Sequence, residues 1–206
     1  DGQIVNQIVG AGTYTVTVKL PESTNYNAAE VEVTVTIQKA TVTISDLKIE
    51  GWIYGANANK PTFEIEESFA NEVTYVFEYS TDGEAWSATV PQNAGNYWVK
   101  VRVTAEETSN YNAAESASVA FTIAQAPVTI DGVADRYTST YNGEDFTLPS
   151  VSASNGETVN MVIKKGDAIV SSIQNAGDYT VTYTVAESAN YLEATRTVTV
   201  TVQKAN

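Results

Sequence analysis

The sequence predicts an all-β chain of antiparallel β-sandwiches strung in tandem. Three observations carry this: one unit recurs three times, hydrophobic residues alternate with period 2, and no stretch has a convincing helical period. An Ala-Gly-x-Tyr turn opens AGTYTVTVKL at Ala11, AGNYWVKVRV at Ala94 and AGDYTVTYTV at Ala176. Its glycines, Gly12, Gly95 and Gly177, are spaced 83 and 82 residues apart. Each turn is followed by an Asn-Tyr loop (NYNAAE at Asn25 and Asn110, NYLEA at Asn190) and then by a closing run ending TIQKA, TIAQA or TVQKA.

These landmarks divide the chain into copy one (1–40), copy two (41–126) and copy three (127–206). Copies two and three also share a front half, with Tyr54-Gly55 and Pro61 answering Tyr141-Asn142-Gly143 and Pro149. Copy one is a back half only. Its GQIVNQIVGAG aligns with DAIVSSIQNAG, which sets Ile4, Val5 and Ile8 over Ile169, Val170 and Ile173. The expectation is that half a repeat precedes Asp1 and that the period continues past Asn206. A half-sandwich leaves strand edges and an apolar face bare, so strand exchange into a dimer is a further expectation.

Within a copy the strands are read in order. Val42 to Ile49 and Val128 to Val133 open copies two and three, Val73 to Tyr79 crosses the middle of copy two, and Asp82-Gly83 marks a hairpin turn. After the Ala-Gly turn, Tyr97, Val99, Val101 and Val103 face one way and Trp98, Lys100 and Arg102 the other. Ala117, Val119, Phe121 and Ile123 alternate with Ser118, Ala120 and Thr122. In copy three Tyr179, Val181, Tyr183 and Val185 alternate with threonines. Such β-branched runs with one polar face are antiparallel strands burying a single side.

About seven short strands in some 80 residues suit an immunoglobulin-like sandwich. In that fold a tyrosine near the start of the sixth strand hydrogen-bonds back to the backbone at a corner. Tyr14, Tyr97 and Tyr179 occupy this place. Where antibody domains carry a cysteine two residues later, Val16, Val99 and Val181 stand instead.

The Tyr-Gly or Tyr-Asn-Gly front half, the Asn-Ala-Gly-x-Tyr turn, the Asn-Tyr-Asn-Ala-Ala loop and the closing TIQKA resemble the MBG/YDG-type immunoglobulin-like repeats of bacterial cell-surface, adhesin-like proteins. The resemblance covers essentially the whole chain. It departs at Gly10, where the turn usually begins with Asn, and at Leu192-Glu193, which break the Asn-Tyr-Asn-Ala-Ala motif. It implies strings of repeats on large secreted or wall-anchored proteins, with no activity assigned to the repeat itself.

Composition narrows the chemistry. The 206 residues hold 25 acids against 11 bases, a net charge of −14, which opposes binding to nucleic acid and to anionic membranes. Cys and His are absent, which removes disulfides, thiolate nucleophiles and the commonest metal ligand. No apolar run is long enough to span a bilayer within this segment. No enzyme activity, catalytic residue, cofactor or metal is therefore expected.

Several side-chain groups invite a sharper reading. Trp52, Trp86 and Trp98 all fall in copy two. Trp98, on the outward face beside Lys100 and Arg102, could stack on a sugar ring or anchor a protein, with Trp86 as a second possible contact; the simpler reading has Trp98 covered by neighbouring stems or an adjacent repeat, and Trp86 and Trp52 filling the core or a strand end. Tyr26, Tyr111 and Tyr191 are expected to plug sandwich ends while Asn25, Asn110 and Asn190 satisfy turn amides. The acids Glu64, Glu66, Glu67, Asp167 and Asp178 form no calcium loop and hold no cleft like that of a paired-carboxylate glycosidase. An internal isopeptide needs a buried Lys, for which only Lys48 offers itself, and a Thr–Gln ester between Thr129 and Gln203 would join two exposed strand ends.

The functional expectation is a structural stalk or spacer, extracellular on a bacterial surface or secreted, presenting a distal adhesive or catalytic domain. Linkers as short as Gln38-Lys39-Ala40 and Gln125-Ala126-Pro127, the latter stiffened by proline, imply an elongated rod whose partners are neighbouring repeats. The alternative is a module that binds a cell-surface glycan or protein through the aromatics of copy two.

Overall fold

A computed structural model describes residues 7–66, 73–104 and 110–206; Ile4, Val5 and Glu67 lie outside these. Among the described residues every regular element is a β-strand. Copy one supplies β1 (Gly12–Leu20) and β2 (Ala29–Ile37), copy two β3 (Ile44–Lys48), β4 (Trp52–Ile53), β5 (Thr62–Ile65), β6 (Thr74–Ser80), β7 (Gly95–Thr104), β8 (Ala114–Glu115) and β9 (Val119–Ala124). Copy three supplies β10 (Ile130–Asp131), β11 (Arg136–Thr140), β12 (Ser152–Ala153), β13 (Asn160–Lys165), β14 (Ala168–Val170), β15 (Gly177–Val185) and β16 (Ala194–Gln203).

The chain forms two compact units whose limits cut across the sequence period. One comprises residues 1–50, 59–91 and 96–121, the other residues 51–58, 92–95 and 122–206. In the second unit β11-β16-β15-β13-β14 form one sheet and β10-β12 another. Both close on a shared core of Ile130, Val133, Ala153, Ile163, Ile173 and the inward residues of β15 and β16. Tyr179, Val181, Tyr183 and Val185 all point into it, as the alternation predicts. In the first unit β6 pairs with β7 and β3 with β5. Val99, Val101 and Val103 are fully buried there, with Val42, Leu47, Tyr79 and Phe121 also in the core.

The sheets are not wholly antiparallel, which corrects the expected class. β11 runs parallel to β16, and β4 runs parallel to the end of β9. In copy three the cause is that the opening strand is split. Val128 to Val133 does not form one strand: β10 belongs to the small sheet, Gly132 breaks the chain at φ 93°, and β11 joins the large sheet beside the last strand. A Cβ on Gly132 would collide with the Ser150 carbonyl oxygen, so both the backbone angle and the close approach require glycine. In copy two the opening run Val42 to Ile49 holds the single strand β3, and Gly51 follows it just before β4, where a Cβ would collide with the Thr122 carbonyl oxygen.

Copy one is a two-stranded hairpin with the register of its counterpart. Tyr14 faces Val35 and Val16 faces Val33, as Tyr179 faces Val200 and Val181 faces Val198. Val181, Val198 and Val200 are 0% exposed, whereas their counterparts Val16, Val33 and Val35 are half-buried, 51% and 36% exposed. The same pattern therefore builds the same ladder with one apolar face open.

Candidate functional site

The outward face of β7 carries the expected aromatic and basic groups, but neither tryptophan stands clear of the protein. Trp98, opposite Ser80 in the ladder, is half-buried, as is Trp86. Trp86 does not fill the core. Lys100 projects from β7 between buried Val99 and Val101, on the side away from them, and its Nζ lies 4.7 Å from the centre of the Trp86 ring. That is a cation–π contact. Lys100 also reaches Glu115 at 2.9 Å and Glu78 at 3.6 Å, and Arg102 meets Glu78 at 2.6 Å. The Glu78 side chain is 13% exposed. Its hydrogen bond from Arg102 holds the carboxyl below its ordinary range against the opposing effect of burial. A concavity at the end of β7 lies between Arg102–Thr104 and Ala113–Glu115, and neither tryptophan lines it. Trp52 is half-buried at a strand end, paired with Ile123.

Two tyrosines of the Ala-Gly turns, Tyr14 and Tyr179, bend back on their own loops. The Tyr14 hydroxyl donates to the Gly10 carbonyl at 2.8 Å and the Tyr179 hydroxyl to the Asn175 carbonyl at 2.7 Å. Tyr97 packs on Phe121 with ring centres 5.7 Å apart.

The Asn-Tyr loops form a feature only half legible in the sequence. Asn110 does satisfy a turn amide, but the turn belongs to the preceding copy: its Oδ1 accepts from the Ala11 amide at 2.8 Å. Asn190 does the same for the Ala94 amide at 2.9 Å. The neighbouring backbone adds a short parallel bridge to the linker. Ala40 donates to the Asn110 carbonyl and accepts from the Asn112 amide, while Ala126 donates to the Asn190 carbonyl and accepts from the Leu192 amide, at 2.8–2.9 Å. Tyr191 meets Tyr54 edge-on at 5.3 Å, and the Gln125 amide donates to the Ser188 carbonyl at 2.8 Å. Where copy two has Asn93, its Oδ1 accepts from Asn190 Nδ2 at 3.2 Å. Gly10 offers no such group, so the departure at Gly10 costs the first joint one hydrogen bond. Sequence reasoning placed these loops within their own copies because recurrence alone does not say which copy a side chain serves. The recurring side-chain amide at Asn25, Asn110 and Asn190 was the available signal.

The remaining candidates stay apart. Lys48 is an exposed side chain 3.8 Å from Asp46, not the buried lysine an isopeptide requires. The Thr129 hydroxyl bonds to Asp131, while Gln203 pairs with Thr140. Glu64 and Glu66 are exposed at β5, Asp167 lies in the turn between β13 and β14, and Asp178 accepts from the Thr201 hydroxyl at 2.7 Å. No three acidic side chains converge among the described residues.

No family model matches the chain, and no curated protein matches it. Among solved structures, a crystal structure of Drosophila N-cadherin EC1-3 aligns over 97% of this chain and 80% of that one, at 12% identity and a TM-score of 0.34. A likeness that loose carries no argument about fold or function.

Proposed function

We propose that the chain is a run of structural spacer repeats, immunoglobulin-like and of the MBG/YDG type, from a bacterial surface or secreted protein, with no catalytic role. One observation carries the reading. The same joint, an Asn side chain on the preceding Ala-Gly turn beside a backbone bridge to the linker, recurs at both junctions with bond lengths matched to within 0.1 Å. A module that only folds has no need to fix its neighbour, whereas a spacer must, because slack in each linker accumulates along a string. The tyrosine corners at Tyr14 and Tyr179 support the immunoglobulin-like type. Small-angle scattering is the test: an elongated particle is the expected result, and a compact globule would sink the proposal.

The alternative, a glycan- or protein-binding face on copy two, has less support because Lys100 already occupies the Trp86 ring face. Binding of a glycan panel that disappears in Trp98→Ala would restore it.

A further inference from the structure

Copy three carries, in the same relative positions, three of the groups with which copy two holds the Asn-Tyr loop that follows it, while Lys204 stands in the place of Gln125. In copy two these are Tyr54, Ala94 and Ala126: an edge-on ring, a turn amide and a linker residue with both backbone groups engaged. Tyr141 stands where Tyr54 does, since the Tyr54 amide donates to the Ala124 carbonyl and the Tyr141 amide to the Gln203 carbonyl, each at 2.8 Å. Ala176 begins the third Ala-Gly turn, with Asn175 in the place of Asn93, and Ala205 aligns with Ala126. Tyr141 is 41% exposed, and a polar groove beside it is lined by Asn142, Gln174 and Val202. Within the 206 residues no Asn-Tyr loop follows these groups.

We propose that Tyr141, Ala176 and Ala205 form a docking face for the Asn-Tyr loop of a further repeat of this type on the same chain. The inference rests on the spacer reading and adds to it a directional, head-to-tail rule. Copy one carries the opposite half of the joint. Its Tyr26 is 74% exposed, whereas Tyr111 and Tyr191, whose loops are engaged, are half-buried. Two unlike surfaces meeting in this way propagate a string rather than close a dimer. The chemistry selects asparagine. Its oxygen takes the turn amide while its nitrogen gives to the asparagine two residues before the turn glycine, as Asn190 does with Ala94 and Asn93. Aspartate could do only the first.

The test extends the chain: residues 1–205 followed directly by a second copy of residues 127–206. Amide exchange by NMR then reads Ala176, with Ala94 as the internal reference for an occupied joint. Protection of the Ala176 amide should rise roughly tenfold over the parent chain, the scale of one hydrogen bond. It should return to the parental value when the Asn190 of the added copy is changed to Ala, and fall partway for Asn190→Asp. Protected strand amides in the added copy establish that it has folded. An unchanged Ala176 rate beside a protected Ala94 and a folded added copy overturns the proposal. Scattering on the same proteins separates the two readings: the particle can lengthen while Ala176 stays unprotected, which removes the docking rule and keeps the spacer.

Discussion

At the scale of single residues, two buried polar groups in the same fold have opposite fates. Tyr179 turns its hydroxyl onto the Asn175 carbonyl, whereas the Tyr183 hydroxyl, two residues along β15, is buried with no partner among the described residues. Burial, with Tyr137 adding to it, raises the Tyr183 pKa. A buried hydroxyl without a partner loses its hydration for nothing, while a satisfied one contributes about 1 kcal/mol. Tyr179→Phe should therefore destabilise by about 1 kcal/mol, and Tyr183→Phe should be neutral or stabilising by a similar amount. Urea denaturation of the two variants checks this, and equal losses would contradict it. The corner was legible because a tyrosine recurs after each Ala-Gly turn, but nothing in the alternation separates Tyr179 from Tyr183. Glu78 gives a pH-dependent counterpart. Its folded pKa is depressed, so the stability it supplies is fully present above the unfolded value near ~4.3 and is lost as pH falls through the folded one. Glu78→Gln should lower the urea midpoint at pH 7, and the gap to the wild type should close towards pH 3.

At the scale of elements, β1–β2 and β15–β16 separate ladder from burial. The two hairpins share sequence pattern and register, yet Val198 is 0% exposed and its equivalent Val33 51%. Truncating a fully buried valine removes about 2 kcal/mol of transfer and packing energy, while a surface truncation stays within ~0.5 kcal/mol. Val198→Ala should accordingly cost about 2 kcal/mol and Val33→Ala little, read from denaturant midpoints. Should Val33→Ala prove equally costly, the face of β1–β2 is covered in solution. The strands themselves were legible, since Tyr97 to Val103 and Tyr179 to Val185 set apolar against polar residues without interruption. The split opening strand of copy three was not, because Val128 and Ile130 alternate up to Gly132, and Gly51 lies just outside the run Val42 to Ile49. The need for glycine there comes from carbonyls of Ser150 and Thr122, which a local pattern cannot register. The joint escaped for the same reason. Its deciding bonds link residues 99 and 96 positions apart, beyond any window that reads periodicity.

At the scale of the whole molecule, charge decides how stability responds to solvent. The chain has 25 acids, 11 bases and no His or Cys, so none of its side-chain types has an ordinary pKa between about 5 and 8. Stability should be flat between pH 6 and 8. Salt offers the sharper test, because two effects oppose each other. Screening weakens attractive pairs, but Lys19–Glu30 and Lys48–Asp46 are exposed and contribute little, while Glu78 and Lys100 are shielded from the ions that would screen them. Screening also relieves the mutual repulsion of a net charge of −14, which favours the unfolded state by letting like charges separate. Repulsion is the larger effect, so raising salt from about 10 to 150 mM, which shortens the Debye length from roughly 30 to 8 Å, should raise the Tm. A gain of about 1 kcal/mol corresponds to an increase on the order of 3 °C for a chain of this size. A Tm that falls instead would mean that the ion pairs around Glu78 contribute more to the fold than their small number suggests.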